Sequence, residues 1–197
     1  MATTDSDFEE RAKKRFKELE CHVLKLSSNP IAFMGGEPTG GARFTPQNPF
    51  DLIVQRKITR EEILGAVVPG LGWGNGKLEE LCNSELLNPK KLVAVQTYAI
   101  ECKTCKDKVF TLNRAKAHQR EGLKKFFGVA GFLIEFRGVH RCFFITSNTL
   151  DSYDRKKSIN VSEMPDLCEV ELPRNTRKRE RKDYYDMQPM LDLRWTP

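Results

Sequence analysis

Apolar positions recur along this chain with two different spacings. Phe8, Ala12, Phe16, Leu19, Val23 and Leu26 return every three or four residues. At about 100° per residue they fall in one stripe roughly 80° wide. That spacing predicts an amphipathic helix over residues 8–26, with Asp5, Ser6 and Asp7 as N-cap candidates. Further on, FDLIVQ (50–55), LVAVQTYAIECK (92–103), VAGFLIEF (129–136) and RCFFIT (141–146) read as strands, the last two joined by a turn at Arg137 and Gly138. Between them, residues 112–127 show helical spacing through Leu112, Ala115, Gly122, Leu123 and Phe126. Residues 27–49 are rich in proline and glycine and read as loop. Residues 56–91 read as an insertion: a helix after Thr59, a glycine-rich connector, then a second helical stretch. The order is helix, strand, insertion, strand, helix, strand, strand. It predicts an α/β fold with a mixed sheet flanked by helices.

Charge changes this picture at one place. The whole chain carries +6 over 197 residues, but residues 174–182 alone hold six basic side chains against Glu180. The division expected is a folded domain over residues 1–173 and a basic, aromatic C-terminal tail over 174–197. Such a tail attracts phosphate polyanions by counterion release, and a solvated tail without a partner has the same composition. The segment DYYDMQPMLDLRWTP reads either as a docking segment or as a tail folding back on its own domain. No apolar run approaches the roughly 18 residues of a membrane span. The opening residues carry no apolar secretory core. The expected compartment is therefore the cytoplasm, the nucleoid, or a host-cell cytoplasm for a viral source. There the six cysteines are expected as free thiols. The single CxxC, Cys102 and Cys105, begins inside a strand and lacks the partners of a zinc site.

The candidate chemistry lies at the end of the strand 92–103. Side chains two apart share a face, so Glu101 and Lys103 point together and Cys102 points away. An apolar strand face ending in an acid and a base is costly unless the charges have partners. A cation would explain the acid, and a water or phosphate the lysine. Asp51 opens the strand 50–55; Mg²⁺ takes one or two carboxylates plus waters and phosphate oxygens, and Asp51 with Glu101 would supply that pair if the two strands are neighbours. Glu9 sits at about 100° on the first helix, beside the apolar stripe, whereas Glu10 sits at about 200° on the far side. Gln119 lies inside the stripe of the helix 112–127, where its amide must find hydrogen-bond partners. Arg114, Lys116 and Arg120 on that helix, with Lys106 before it, form a cationic surface able to hold phosphates without reading sequence.

The order Glu9, Asp51, Glu101-Cys102-Lys103, Gln119 resembles the PD-(D/E)XK nuclease pattern. Within it, FTLNRAKAHQREGLKKFFGVAGFLIEF (110–136), RKKSI (155–159) and ELPR (171–174) resemble the RecU-type Holliday junction resolvases. The resemblance implies a restriction-endonuclease-like core, a homodimer, and a requirement for Mg²⁺ or Mn²⁺. It implies paired nicks in four-way DNA junctions leaving 5′-phosphate ends. It makes Asp51, Glu101 and Lys103 the catalytic core, assisted by Glu9 and Gln119. Asp51, Glu101 and the Cys102 carbonyl would be the metal ligands. Lys156 and Lys157 of RKKSI join Lys106, Arg114, Lys116 and Arg120 as expected DNA contacts. Two alternatives stay open: a nuclease for ordinary duplex or single-stranded DNA, and a DNA-binding module without cutting activity.

Overall fold

The first helix begins where the sequence first supplies a reciprocal cap. Thr4 accepts the Asp7 N–H at 3.3 Å, and Asp7 accepts the Thr4 N–H at 2.9 Å. The cap is thus Thr4, one residue before the candidates Asp5, Ser6 and Asp7. In this computed structural model, which describes residues 4–26, 50–58, 95–153, 156–177 and 182–193, helix α1 spans Asp5–Glu18. It stops eight residues short of the expected end. Glu20 takes a left-handed φ of 60° and the Cys21 N–H turns back to the Phe16 carbonyl at 3.0 Å. The chain then extends as β1, His22–Lys25. Val23 completed the apolar spacing of the helix, but it enters the same core from a strand, opposite Val54.

Strand β1 opens a six-stranded sheet. The others are β2 (Leu52–Lys57), β3 (Val95–Cys105), β5 (Val129–Phe136), β6 (Arg141–Thr146) and β8 (Val170–Leu172), in spatial order β1-β2-β3-β5-β6-β8. Only β3 and β5 run parallel; the other neighbours are antiparallel. A parallel pair needs a long crossover. Here it carries β4 (Val109–Thr111), a 3-10 turn (Leu112–Arg114) and helix α2 (Ala117–Lys124). The expected helix over 112–127 is therefore broken: Ala115 leaves helical geometry at ψ 84° and α2 restarts beyond Lys116. The remaining elements are α3 (Ser147–Ser152), β7 (Ser158–Asn160) paired with β4, α4 (Met164–Leu167), β9 (Arg174–Arg177) paired with β10 (Lys182–Tyr185), and α5 (Gln188–Leu191). The expected loop over 27–49, the helices of 59–91 and the first residues of the strand 92–103 lie outside the described residues.

Alternation along the strands divides the interior into two cores. Tyr98, Ile100, Cys102, Leu133 and Phe144 face α1, where Phe8, Ala12 and Phe16 cover them. Ala99, Phe132, Ile134, Phe143 and Ile145 face the opposite side, under Leu112, Leu123 and Leu150. Each fully buried phenylalanine removes enough apolar area to contribute about 2 kcal/mol. The fold is thus a mixed sheet with helices on both faces. The C-terminal residues Tyr185, Met187, Met190 and Leu191 belong to the α1-side core, and Tyr98 Oη donates to the Leu191 carbonyl at 2.5 Å. Among the described residues no helix is long and apolar enough to cross a membrane. The five described cysteines are free.

Candidate active site

Strand β3 places Glu101 and Lys103 on the face toward α2, as the two-residue period requires. Both are buried, at 3% and 8% exposure. Lys103 Nζ donates to Glu101 Oε1 at 2.7 Å. The Gln119 amide donates to the same oxygen from α2. Gln119 is itself fixed, because its carbonyl accepts the Lys116 N–H at 3.1 Å at the helix entrance. The polar residue inside the apolar stripe thus finds its partners at Glu101. Among the described residues none bonds Glu101 Oε2.

Asp51 reaches this group from β2. Leu52 pairs with Ile100, and the Asp51 N–H donates to the Ile100 carbonyl at 3.0 Å, which brings Asp51 level with Glu101. Its Oδ2 accepts the Cys102 N–H at 2.8 Å. In a strand the N–H and C=O of one residue share an edge, so the Cys102 carbonyl lies on the Asp51 side. The Cys102 side chain points the other way and is buried in the α1-side core.

Burial raises the proton affinity of all three carboxylates, and the Asp51 charge adds to it at Glu101 and Glu9. Burial, then the Asp51 charge, pushes Glu101 up to about 7, against the opposing pull of Lys103. Asp51 is raised chiefly by burial, opposed by the Cys102 N–H and by Lys103. Glu9, 8% exposed on α1, is raised by burial and by the Asp51 charge, with Lys25 opposing. Glu10 is exposed and its proton affinity is lowered by Lys25. The structure thus separates the two glutamates as the helical wheel did. Lys25 Nζ lies 3.0 Å from Glu9 Oε1 and 2.7 Å from Glu10 Oε1.

Two participants were missed in the sequence. Asp5 stands one helical turn before Glu9 on α1, a spacing that could have exposed it. Its Oδ1 accepts from the Thr104 N–H at 2.8 Å and from the Thr104 hydroxyl at 2.6 Å. Lys25 carried no signal, because its strand was read as helix.

A divalent cation fits this donor set. Glu101 Oε2 and Asp51 Oδ1 take no hydrogen bond among the described residues, and the Cys102 carbonyl lies on the same edge. No group of three or more His, Cys, Asp or Glu side chains that could hold a metal ion occurs among the described residues. The cation would therefore be held by two carboxylates and a main-chain oxygen, with water and phosphate completing its shell.

The expected DNA contacts divide into two groups. Lys106, Lys116 and Lys157 are exposed. Arg114 donates to both Asp5 oxygens at 3.3 Å and to the Thr104 carbonyl. Arg120 bonds Asp151 at 3.1 Å, and Lys156 bonds Glu163 at 2.6 Å.

The fold and this cluster define a mixed α/β protein with a buried acid–lysine–amide site at the middle of its sheet. No protein-family model and no curated protein matches the chain.

Proposed function

We propose that this chain is a metal-dependent DNA endonuclease with a PD-(D/E)XK core, and that it resolves four-way junctions as a homodimer. The observation that carries the reading is Glu101 and Lys103 buried side by side on one strand, with Asp51 level with them and Gln119 locking Glu101. Burial of so many ionisable groups in one spot costs stability, and a catalytic task accounts for the cost. The junction preference rests on the resemblance of residues 110–136 and 155–174 to the RecU-type resolvases.

Asp51, Glu101 and the Cys102 carbonyl would hold Mg²⁺ or Mn²⁺, which supplies water activation and charge neutralisation at a phosphate. Lys103 donates toward the attacking water or offsets charge developing on the phosphate. Gln119 fixes the Glu101 rotamer and leaves Oε2 free. Glu9 adds negative charge beside Asp51.

The test is cleavage of a labelled four-way junction and a linear duplex with and without Mg²⁺, beside Glu101→Ala and Lys103→Ala. Paired symmetric nicks that need both residues support the resolvase reading. Equal cutting of plain duplex retains the nuclease and discards the junction preference. Binding without cutting under Mg²⁺ or Mn²⁺ overturns the enzyme reading.

A further inference from the structure

Glu135 is a buried acid that stands outside the candidate active site. It lies on β5 at 4% exposure, on the face that Leu133 presents to the α1-side core. Arg11 of α1 grips both of its oxygens: Nη1 donates to Oε1 at 3.1 Å and Nη2 to Oε2 at 2.7 Å. The same guanidinium lies 5.3 Å from the centre of the Phe8 ring, one turn back on the helix. A buried ion pair is weak evidence of stabilisation, because desolvation of the charges opposes their attraction and apolar side chains of similar volume often serve as well. What the pair does supply is direction. Phe8, Ala12 and Phe16 hold α1 down on the sheet, but apolar contact is non-directional. A two-point arginine–carboxylate contact fixes an angle. Its place on the helix shows which motion it opposes. Glu9 and Arg11 are about 200° apart around α1, so they leave the apolar stripe on opposite sides. Glu9 reaches Lys25 of β1 at 3.0 Å, and Arg11 reaches β5. Strand β3, which carries Glu101 and Lys103, lies between them in the sheet order. Thr104 of β3 is in register with Glu135 and is itself held by Asp5. A roll of α1 about its axis therefore moves Glu9 and the Arg11 contact together.

We infer that Arg11 and Glu135 form a positioning pair for the candidate active site: they set the roll of α1 and thereby hold Glu9 beside Asp51. The pair lies on the flank of the helix away from Asp51 and acts through Glu9. The inference rests on the nuclease reading for what Glu9 serves, and on geometry alone for where Glu9 is held. Replacing both residues by leucine extends the apolar stripe toward β5. The helix then turns that flank inward and lifts Glu9 away from Asp51.

The experiment uses the full chain and two readouts that need no cleavage. The first is Mn²⁺ binding without DNA, by calorimetry, beside thermal melts. Arg11→Leu with Glu135→Leu is expected to melt at or above the parent, yet to bind Mn²⁺ about 10-fold more weakly, the scale for residues that orient a ligand. Glu9→Gln alone gives a similar loss. Adding it to the leucine pair gives no further loss, because residues acting through one another are not additive. Arg11→Lys keeps the charge but cannot span both carboxylate oxygens. It weakens Mn²⁺ binding by a smaller factor and carries the test if the leucine pair does not fold. Parental Mn²⁺ affinity in these variants overturns the inference, as do losses that add to that of Glu9→Gln. The second readout is nuclear cross-relaxation between the Glu9 and Lys25 side chains in the metal-free chain. It is expected in the parent and lost in the leucine pair, while the contacts of Phe8 and Phe16 with the core remain. Its persistence there overturns the inference. A parent that binds no Mn²⁺ sinks the nuclease reading, and loss of the Glu9–Lys25 signal then still supports the hold on Glu9.

Discussion

Asp5 and Arg114 form a bridge between the start of α1 and the turn before α2, with Arg114 Nη2 at 3.3 Å from both carboxylate oxygens. Arg114 also caps the Thr104 carbonyl, just beyond Lys103 on β3. An arginine expected to touch DNA thus also holds the helix to the strand.

Arg114→Ala is accordingly expected to lower stability rather than DNA affinity. Both partners are about 40% exposed, so solvent screening limits the loss to about 1 kcal/mol. Thermal melts would show a fall of a few degrees, while the salt slope of DNA binding stays that of the parent. Arg114→Lys does not restore the melt, because an ammonium cannot span both carboxylate oxygens and the carbonyl.

Glu101→Gln is expected to abolish metal-dependent cutting and to stabilise the metal-free chain. The carboxyl titrates near 7 in the fold against an ordinary 4.5. A raised value means that its stabilising contribution is complete below 4.5 and is lost as pH rises through about 7. The variant's advantage therefore grows between pH 5 and 8 and then levels off, reaching about 1 to 3 kcal/mol. Chemical denaturation in EDTA at pH 5 and pH 8 measures it. A wild-type chain equally stable relative to the variant at both values would contradict the burial account.

The two adjacent glutamates of α1 should separate cleanly. Glu9→Gln is expected to slow cutting and raise the Mg²⁺ concentration needed, because Glu9 is buried and acts on Asp51. Glu10→Gln removes only an exposed partner of Lys25 and Lys13 and should leave both unchanged. Cleavage rates across a Mg²⁺ titration distinguish the pair.

Gln119→Ala should cost about 1 kcal/mol of stability, since the Lys116 N–H and Glu101 each lose a partner. The cutting rate should fall by about 10- to 100-fold, the range for residues that orient a ligand. Comparing single-turnover rates with melting temperatures separates the two effects.

A chain ending after Pro173 is expected not to fold, although its composition suggests only the loss of a tail. Tyr185, Met187, Met190 and Leu191 are buried against α1 and the sheet. Removing four such side chains costs several kcal/mol at the least, comparable with a domain's whole stability. Loss of the cooperative melt, with dye binding to exposed apolar surface, is the expected readout.

Much of the site could be read from spacing. β3 announced itself as a long apolar strand, and its period of two correctly put Glu101 with Lys103 and against Cys102. The wheel chose Glu9 over Glu10 and singled out Gln119, because a polar residue in an apolar stripe demands a partner. The end of α1 was illegible for a physical reason. Val23 is apolar whether it reaches the core from a helix or from a strand, so the periodicity ran on past the turn at Glu20. The break at Ala115 was hidden likewise, since Leu112 and Leu123 enter one core from two separate elements. The pairing of Lys25 with Glu9, and of Asp5 with Arg114, depends on tertiary approach, which no local pattern records.

The contact from Tyr98 to the carbonyl of Leu191 also has a bearing on order of manufacture. A ribosome emits Glu101, Lys103 and Gln119 well before Leu191, yet the core beneath α1 cannot close until that later stretch has emerged. The helix that carries Glu9 gains its full footing only then. A nascent polypeptide built this way holds Glu101, Lys103 and Gln119 before it holds the C-terminal side chains that close the core behind their strand.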